Sequence, residues 1–260
     1  MTDAELAARL AEVAGRLLLE VRDCGLIAGK ALGKAGDQTA NQFLIHAIRD
    51  QRPDDGLLSE EETDNFERLA HSRVWIVDPV DGTREYGEAH ESAWRTDWAV
   101  HVALAIDGKA AVGAVALPGL GLVLRSDQPL LLSPAAAIPR MVVSRTRPAK
   151  EALAVAEAIG AELVPMGSAG AKAMAVVLGE AEIYLHTGGQ FEWDNCAPAA
   201  VAEAAGLHVS RVDGSPLIYN QPETYLPDLL ICRPEWAERV LGLVRELRSD
   251  PRYHAEQARP

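Results

Sequence analysis

The stretch Val74-Trp75-Ile76-Val77-Asp78-Pro79-Val80-Asp81-Gly82-Thr83 constrains this chain more than any other. Its first four residues are β-branched or aromatic and read as a buried strand. Pro79 cannot extend a ladder, so the strand is expected to stop at Asp78. Next comes a turn with two carboxylates, a glycine free of Cβ constraints and a hydroxyl. Two carboxylates three residues apart at the end of a buried strand are costly unless a cation pairs them. A hard divalent cation is the natural partner, because it takes oxygen ligands. The plain alternative is a solvated Asp-Gly turn. An EF-hand loop is excluded, because its third ligand position would be Val80.

The chain has 260 residues, 48% apolar and 24% charged, enough for one large domain or two subdomains around a packed core. Its net charge of −13 argues against a nucleic-acid or anionic-membrane surface. A small anionic substrate stays possible where a metal inverts the local charge. Cys24, Cys196 and Cys232 are far apart and form no CxxC pair, so reduced thiols in the cytoplasm are expected. The acidic, helical start does not read as a secretory signal. The charge-free stretch from Ala110 to Leu124 is too short to span a bilayer.

The pattern along the chain divides it into two halves. Thr2-Asp3-Ala4-Glu5 has capping-box spacing and opens a long amphipathic helix. Lys34 to Asn41 reads as a polar loop before a second helix around Phe43 to Ile48. Gly56-Leu57-Leu58 is a short strand entering Ser59-Glu60-Glu61-Glu62, and Asp64 to Ser72 is expected to be helical. Trp98 to Ile106 alternates, with His101 on its small-residue face, where a packing role is expected. With Lys109 to Leu117 and Leu120 to Arg125 it forms an antiparallel meander. The proline-rich segment from Gln128 to Pro139 is the candidate boundary. Beyond it, strands and helices alternate up to a helix from Pro234 to Leu247, the rhythm of an α/β half. The expected division is 1–135, 136–250 and a frayed tail, 251–260.

Three acidic elements recur after apolar strands or at helix starts: Glu60-Glu61, Asp78 with Asp81, and Trp193-Asp194. Together they could form a polycarboxylate cage for two or three divalent ions. No Cys or His accompanies them in a nucleophile arrangement.

The order and spacing of Ser59-Glu60-Glu61, Asp78-Pro79-Val80-Asp81-Gly82-Thr83 and Trp193-Asp194 resemble the inositol monophosphatase family of magnesium-dependent, lithium-sensitive phosphatases. The resemblance runs from the first helix to Leu247. Asp81-Gly82-Thr83-Arg84-Glu85-Tyr86, Met141-Val142-Val143-Ser144-Arg145 and Gly167-Ser168-Ala169-Gly170-Ala171-Lys172 are most similar to its CysQ-type 3′(2′),5′-bisphosphate nucleotidase branch, and there to the actinobacterial type. The resemblance implies a layered αβαβα sugar-phosphatase sandwich, with an N-terminal α+β half carrying an antiparallel sheet and a C-terminal α/β half. It implies hydrolysis of the 3′-phosphate of 3′-phosphoadenosine 5′-phosphate. A broader activity on inositol phosphates or fructose 1,6-bisphosphate is the alternative, and a non-catalytic phosphonucleotide-binding regulator the remote one. A homodimer fits the family's habit.

By the same resemblance, Glu60, Asp78 and the Val80 carbonyl would hold one Mg2+, and Asp78, Asp81 and Asp194 a second. Glu60 and Thr83 would orient the attacking water, with Asp81 beside them. Gly82 and Thr83 would offer N–H groups to the scissile phosphate, and Trp193 would pack beneath Asp194. Arg84, Arg145 and Lys172 are candidates for a second phosphate, with Ser144, Gly167, Ser168 and Gln190 along the substrate wall. One departure stands out. The family's Thr-x-x-Asp at the second helix is replaced by the segment Lys34 to Asn41. Asn41 stands where the Asp is expected, and Asp37 is the candidate ligand for a third metal.

Overall fold

The computed structural model describes residues 1–90 and 93–250. The expected frayed tail, 251–260, lies outside the described residues. The chain begins with α1 (Asp3–Asp23) and α2 (Gly29–Gln51), then β1 (Gly56–Ser59), β2 (Arg73–Asp81) and the short α3 (Thr83–Gly87). A small pair, β3 (Ala89–His90) and β4 (Ala93–Trp94), precedes the meander β5 (Ala99–Ile106), β6 (Lys109–Leu117) and β7 (Leu122–Arg125). The second half holds β8 (Arg140–Ser144), α4 (Lys150–Ile159), β9 (Glu162–Met166), α5 (Ala169–Val177), β10 (Ile183–His186) and β11 (Gln190–Phe191). It ends with α6 (Glu192–Ala204), β12 (His208–Ser210), β13 (Tyr225–Leu226), β14 (Leu229–Cys232) and α7 (Pro234–Ser249).

Two five-stranded sheets form, in the orders β1-β2-β5-β6-β7 and β12-β14-β10-β8-β9. The first is antiparallel except for the parallel β1–β2 pair. In the second, β8 pairs parallel with β9 and β10, and β14 is antiparallel to β10 and β12. Helices α1 and α2 cover one face of the first sheet, and α6 covers the other. Helix α5 packs on α6 and on the second sheet, whose far face carries α4 and α7. The layers therefore run αβαβα. One apolar cluster fills each interface: α1 and α2 against the first sheet, α5 and α6 between the sheets, and α4 and α7 against the second. The alternation of β5 is visible in this division. Trp98, Val100, Val102 and Leu104 enter the first cluster, and Ala99, Ala103 and Ala105 the middle one. Small residues on the second face let α6 approach closely.

The structure alters three expectations. Lys34 to Asn41 is not a loop but the middle of α2. Its polar look has a local cause: Gly33, Gly36, Asp37 and Asn41 face inward. A Cβ on Gly33 would lie 2.8 Å from the Thr83 methyl, so the glycine lets α2 lie directly against the carboxylate motif. The central strand does not stop at Asp78. β2 runs to Asp81, and its register against β5 shifts between Asp78 and Asp81. Pro79 sits in this irregularity, where no regular ladder bond is required of it. Asp64 to Ser72 holds only one 3-10 turn, Glu67–Ala70, whose buried Arg68 is pinned by Asp64 and Asn220.

Candidate active site

The parallel pairing of β1 with β2 explains the spacing of the first two acidic motifs. Ser59 lies opposite Val77, and the Glu60 amide donates to the Val77 carbonyl at 3.3 Å. An offset of eighteen residues therefore delivers Glu60 beside Asp78 at the same end of the sheet. Asp194 arrives from the opposite direction. It occupies the first turn of α6, where its Oδ2 accepts from the Phe191 amide at 2.6 Å. Asp78, Asp81 and Asp194 each offer a carboxylate oxygen within 4.8 Å of the others'.

The three acids are not equivalent. Burial drives the Asp78 carboxyl well above its ordinary range, and Glu60, Asp81 and Asp194 push it further up. Burial and the charge of Asp81 raise Asp194 to about 6. At Glu60, desolvation together with Asp194, Asp81 and Glu61 outweighs a hydrogen bond with Asp78, and its pKa rises to about 7. Asp81 goes the other way. Burial opposes its charge too, but His101, the Ser168 hydroxyl and the Gly170 amide together hold it at about 2. Ser168 Oγ donates to Asp81 Oδ2 at 2.5 Å, and the Gly170 and Ala169 amides donate at 2.5 and 3.1 Å. Asp81 thus rests on the N-terminal turn of α5, where backbone donors converge. Of the three clustered aspartates, it is the one whose ionised form the fold favours.

His101 is the residue that sequence reasoning assigned to packing. It is fully buried, but its Nδ1–H donates to the Trp193 carbonyl at 2.9 Å and its Nε2 lies 3.2 Å from Asp81 Oδ2. Both neighbours are acceptors, which favours the protonated ring. Burial lowers its pKa, but contact with Asp81 more than reverses this. The clue was in the strand register, since β5 sets His101 opposite Asp78.

Gly82 adopts φ 88°, the left-handed region that favours glycine, and turns the chain from β2 into α3. Thr83 then points its hydroxyl at the Val80 carbonyl, 3.1 Å away, and at Asp37 Oδ1, 3.5 Å away. The Val80 amide donates to Asp78 Oδ1 at 3.0 Å, which ties the motif together. Asp37 reaches the site from α2, and its carboxyl is raised to about 7 by burial and by Glu61 and Glu60. Asn41, one turn further on, faces away from that task. It accepts from Ser59 Oγ at 2.7 Å and donates to Glu62 at 2.7 Å, fixing the β1 end. The carboxylate that α2 brings to Thr83 is therefore Asp37, delivered by regular helix rather than by a loop.

A pocket of about 630 Å³ opens over the cluster. Glu60, Asp81, Gly82, Thr83 and Asp194 line it, together with Arg84, Ser144, Arg145, Gly167, Ser168, Lys172 and Gln190. Asp78, Val80 and Asp37 lie behind its surface. The pocket cations are already engaged. Half-exposed Arg84 meets Glu85 at 3.0 Å; Arg145 pairs with Glu85 at 3.3 Å and with Asp97. Asp97 also accepts from the Gly167 amide at 2.6 Å. The buried Lys172 donates to the Gly167 and Ser168 carbonyls, and burial lowers its pKa. Gln190 is buried between Tyr184 and Asn195, to which it is hydrogen-bonded at 2.9 and 3.2 Å. Asp97, Arg147, Tyr184 and Phe191 went unremarked in the sequence, and Glu85 was read only as part of the motif that carries the resemblance. Among these, only Glu85 carried a local signal.

The donor set fits a hard divalent cation. It is all oxygen, its members lie within 4.8 Å of one another, and burial and mutual repulsion raise two of its three carboxyls, a cost that a cation offsets.

Residues 7–249 match the inositol monophosphatase family model, and the chain belongs to that family of metal-dependent phosphatases. Among curated proteins, a 3′-phosphoadenosine 5′-phosphate phosphatase of Mycobacterium leprae is 49% identical over 95% of both chains. Its counterpart from Mycobacterium bovis is 48% identical over 90% of both chains. Among solved structures, CysQ from Bacteroides thetaiotaomicron superposes with a TM-score of 0.75 at 22% identity, covering 89% of this chain and 97% of the other. That likeness supports the αβαβα fold. No helix among the described residues is long and apolar enough to cross a membrane.

Proposed function

We propose that this protein hydrolyses the 3′-phosphate of 3′-phosphoadenosine 5′-phosphate, giving AMP and phosphate, with Mg2+ as its cofactor, in the cytoplasm. The observation that carries the reading is the convergence of Asp78, Asp81 and Asp194 beneath one pocket that Arg145, Arg147 and Lys172 also line. Such a pocket suits a substrate with two phosphates, one over the acids and one over the cations. The names of the relatives at 48–49% identity support the nucleotide.

Glu60, Asp78 and the Val80 carbonyl would hold one cation, Asp78, Asp81 and Asp194 a second, and Asp37 a third. When bound, the ions supply positive charge against the phosphate and acidity to the attacking water. The chain's own groups do the rest. Glu60 and Thr83 would position the water, and the Glu60 carboxylate would accept its proton, with the Thr83 hydroxyl hydrogen-bonded beside it. The Thr83 hydroxyl is oriented by Asp37 and the Val80 carbonyl. The Gly82 and Thr83 amides donate to the scissile phosphate, and His101 keeps Asp81 ionised. Ser144, Gly167, Ser168 and Gln190 shape the wall, and Arg84, Arg145 and Lys172 offset the second phosphate. The test is a saturation comparison of 3′-phosphoadenosine 5′-phosphate, inositol 1-phosphate and fructose 1,6-bisphosphate with Mg2+. The nucleotide should give the highest kcat/KM; a strong preference for inositol 1-phosphate rejects the substrate assignment.

A further inference from the structure

The pocket contains a feature that neither metal nor phosphate chemistry uses. Phe191 lines it with 42% of its surface exposed, an apolar ring among charged and polar groups. The ring is well supported. It stacks on Trp193 with centroids 4.9 Å apart and planes 9° apart, and it meets Tyr225 edge-on at 5.9 Å. β11 fixes its backbone through antiparallel pairing with β13. The Phe191 amide donates to Asp194 Oδ2 at 2.6 Å, so the ring stands in fixed relation to a residue of the acidic cluster. Trp193 is in turn anchored through its carbonyl to His101, and its side chain packs against the middle core. An exposed aromatic ring loses contact energy to water unless something covers it. Here the covering group must enter the same pocket as the phosphate ester.

We infer that Phe191, backed by Trp193, is the stacking platform for the purine base of the substrate and a determinant of nucleotide over sugar phosphate. The inference rests on the nucleotidase reading above and adds a residue to it. A planar base continues the Trp193–Phe191 stack as a third ring, whereas an inositol or a hexose offers no flat π-face. Stacking contributes about 1–3 kcal/mol per base, which is about 5- to 150-fold in affinity.

The experiment compares KM for 3′-phosphoadenosine 5′-phosphate with KM for glycerol 2-phosphate, an ester without a base, in wild type and in Phe191→Ala, Phe191→Leu and Phe191→Tyr. The platform predicts that Phe191→Ala and Phe191→Leu raise the ratio of the two constants about 5- to 150-fold and that Phe191→Tyr restores it. It also predicts a matching loss of AMP affinity by calorimetry in the alanine variant. A proportional rise for both substrates, which displacement of Asp194 would cause, overturns the platform. So does full recovery by leucine, which would mean that apolar bulk alone matters. Failure of the wild type to hydrolyse the nucleotide rejects the functional reading itself, independently of the variants.

Discussion

Asp78 and Asp81 lie three residues apart in one motif, yet their neutral variants should move stability in opposite directions. Asp81→Asn removes a charge that the fold is built to hold. The carboxylate accepts three hydrogen bonds, from Ser168, Ala169 and Gly170, and lies beside the buried His101. Asparagine keeps one acceptor and turns an NH2 group toward one of these donors. One buried donor is then left unmatched, at about 1–3 kcal/mol. The helix-terminus interaction and the contact with His101 weaken together, adding roughly 1–2 kcal/mol. A loss of about 2–5 kcal/mol corresponds to a fall in Tm on the order of 5–15 °C for a chain of this size. Asp78→Asn removes a charge that the metal-free fold resists, since Glu60, Asp81 and Asp194 all repel it, and it keeps the bond from the Val80 amide. The metal-free Asp78→Asn protein should therefore be at least as stable as wild type. Both variants should lose at least about 10²- to 10³-fold in turnover, the scale of removing one preorganised electrostatic contact. Thermal unfolding in EDTA and steady-state phosphate release measure the two effects. Equal Tm shifts for the two variants, or near-normal turnover in either, would refute the reasoning.

The same geometry sets further outcomes. Asp194, Glu60 and Asp37 titrate at about 6, about 7 and about 7 without metal, all above their ordinary values of 3.8, 4.5 and 3.8. Their contribution to metal-free stability is therefore full below about pH 4 and lost as pH rises through about 6 to 7. Metal-free Tm should rise on acidification through that range, and Mg2+ binding should release protons, read as a buffer-dependent calorimetric enthalpy; a buffer-independent enthalpy at pH 7 contradicts this. His101→Gln should raise the Asp81 pKa and weaken Mg2+ about 10- to 100-fold, the scale of losing a residue that supports a metal ligand; unchanged Mg2+ dependence contradicts that role. Arg145→Ala should raise KM for 3′-phosphoadenosine 5′-phosphate more than for 3′-AMP, which lacks the 5′-phosphate; an equal rise removes Arg145 from the second phosphate.

The acidic constellation was legible in the sequence because its spacing is set by local rules. An offset of eighteen residues between parallel strands brings Glu60 to Asp78, and a helix start carries Asp194. The two halves were legible from the periods of their strands and helices, whereas the layered αβαβα arrangement was implied by the family resemblance. The features that stayed hidden depend on packing between distant elements. The Lys34–Asn41 segment looks like a polar loop because its small and polar residues form the inner face of a helix pressed against Thr83. His101 looks like a small-face packing residue until the register of β5 places it opposite Asp78, with its ring reaching Asp81. The engagement of Arg145 by Asp97 and Glu85 joins three separate segments, and nothing in their spacing announces it.

The central claim is tested most directly by phosphate release from 3′-phosphoadenosine 5′-phosphate with Mg2+, with EDTA, and with Mg2+ plus Li+. Release is expected with Mg2+ and none in EDTA, and the Li+ arm reads whether Asp37 supplies the third site. Release that persists in EDTA, or its absence in all three conditions, would contradict the central claim.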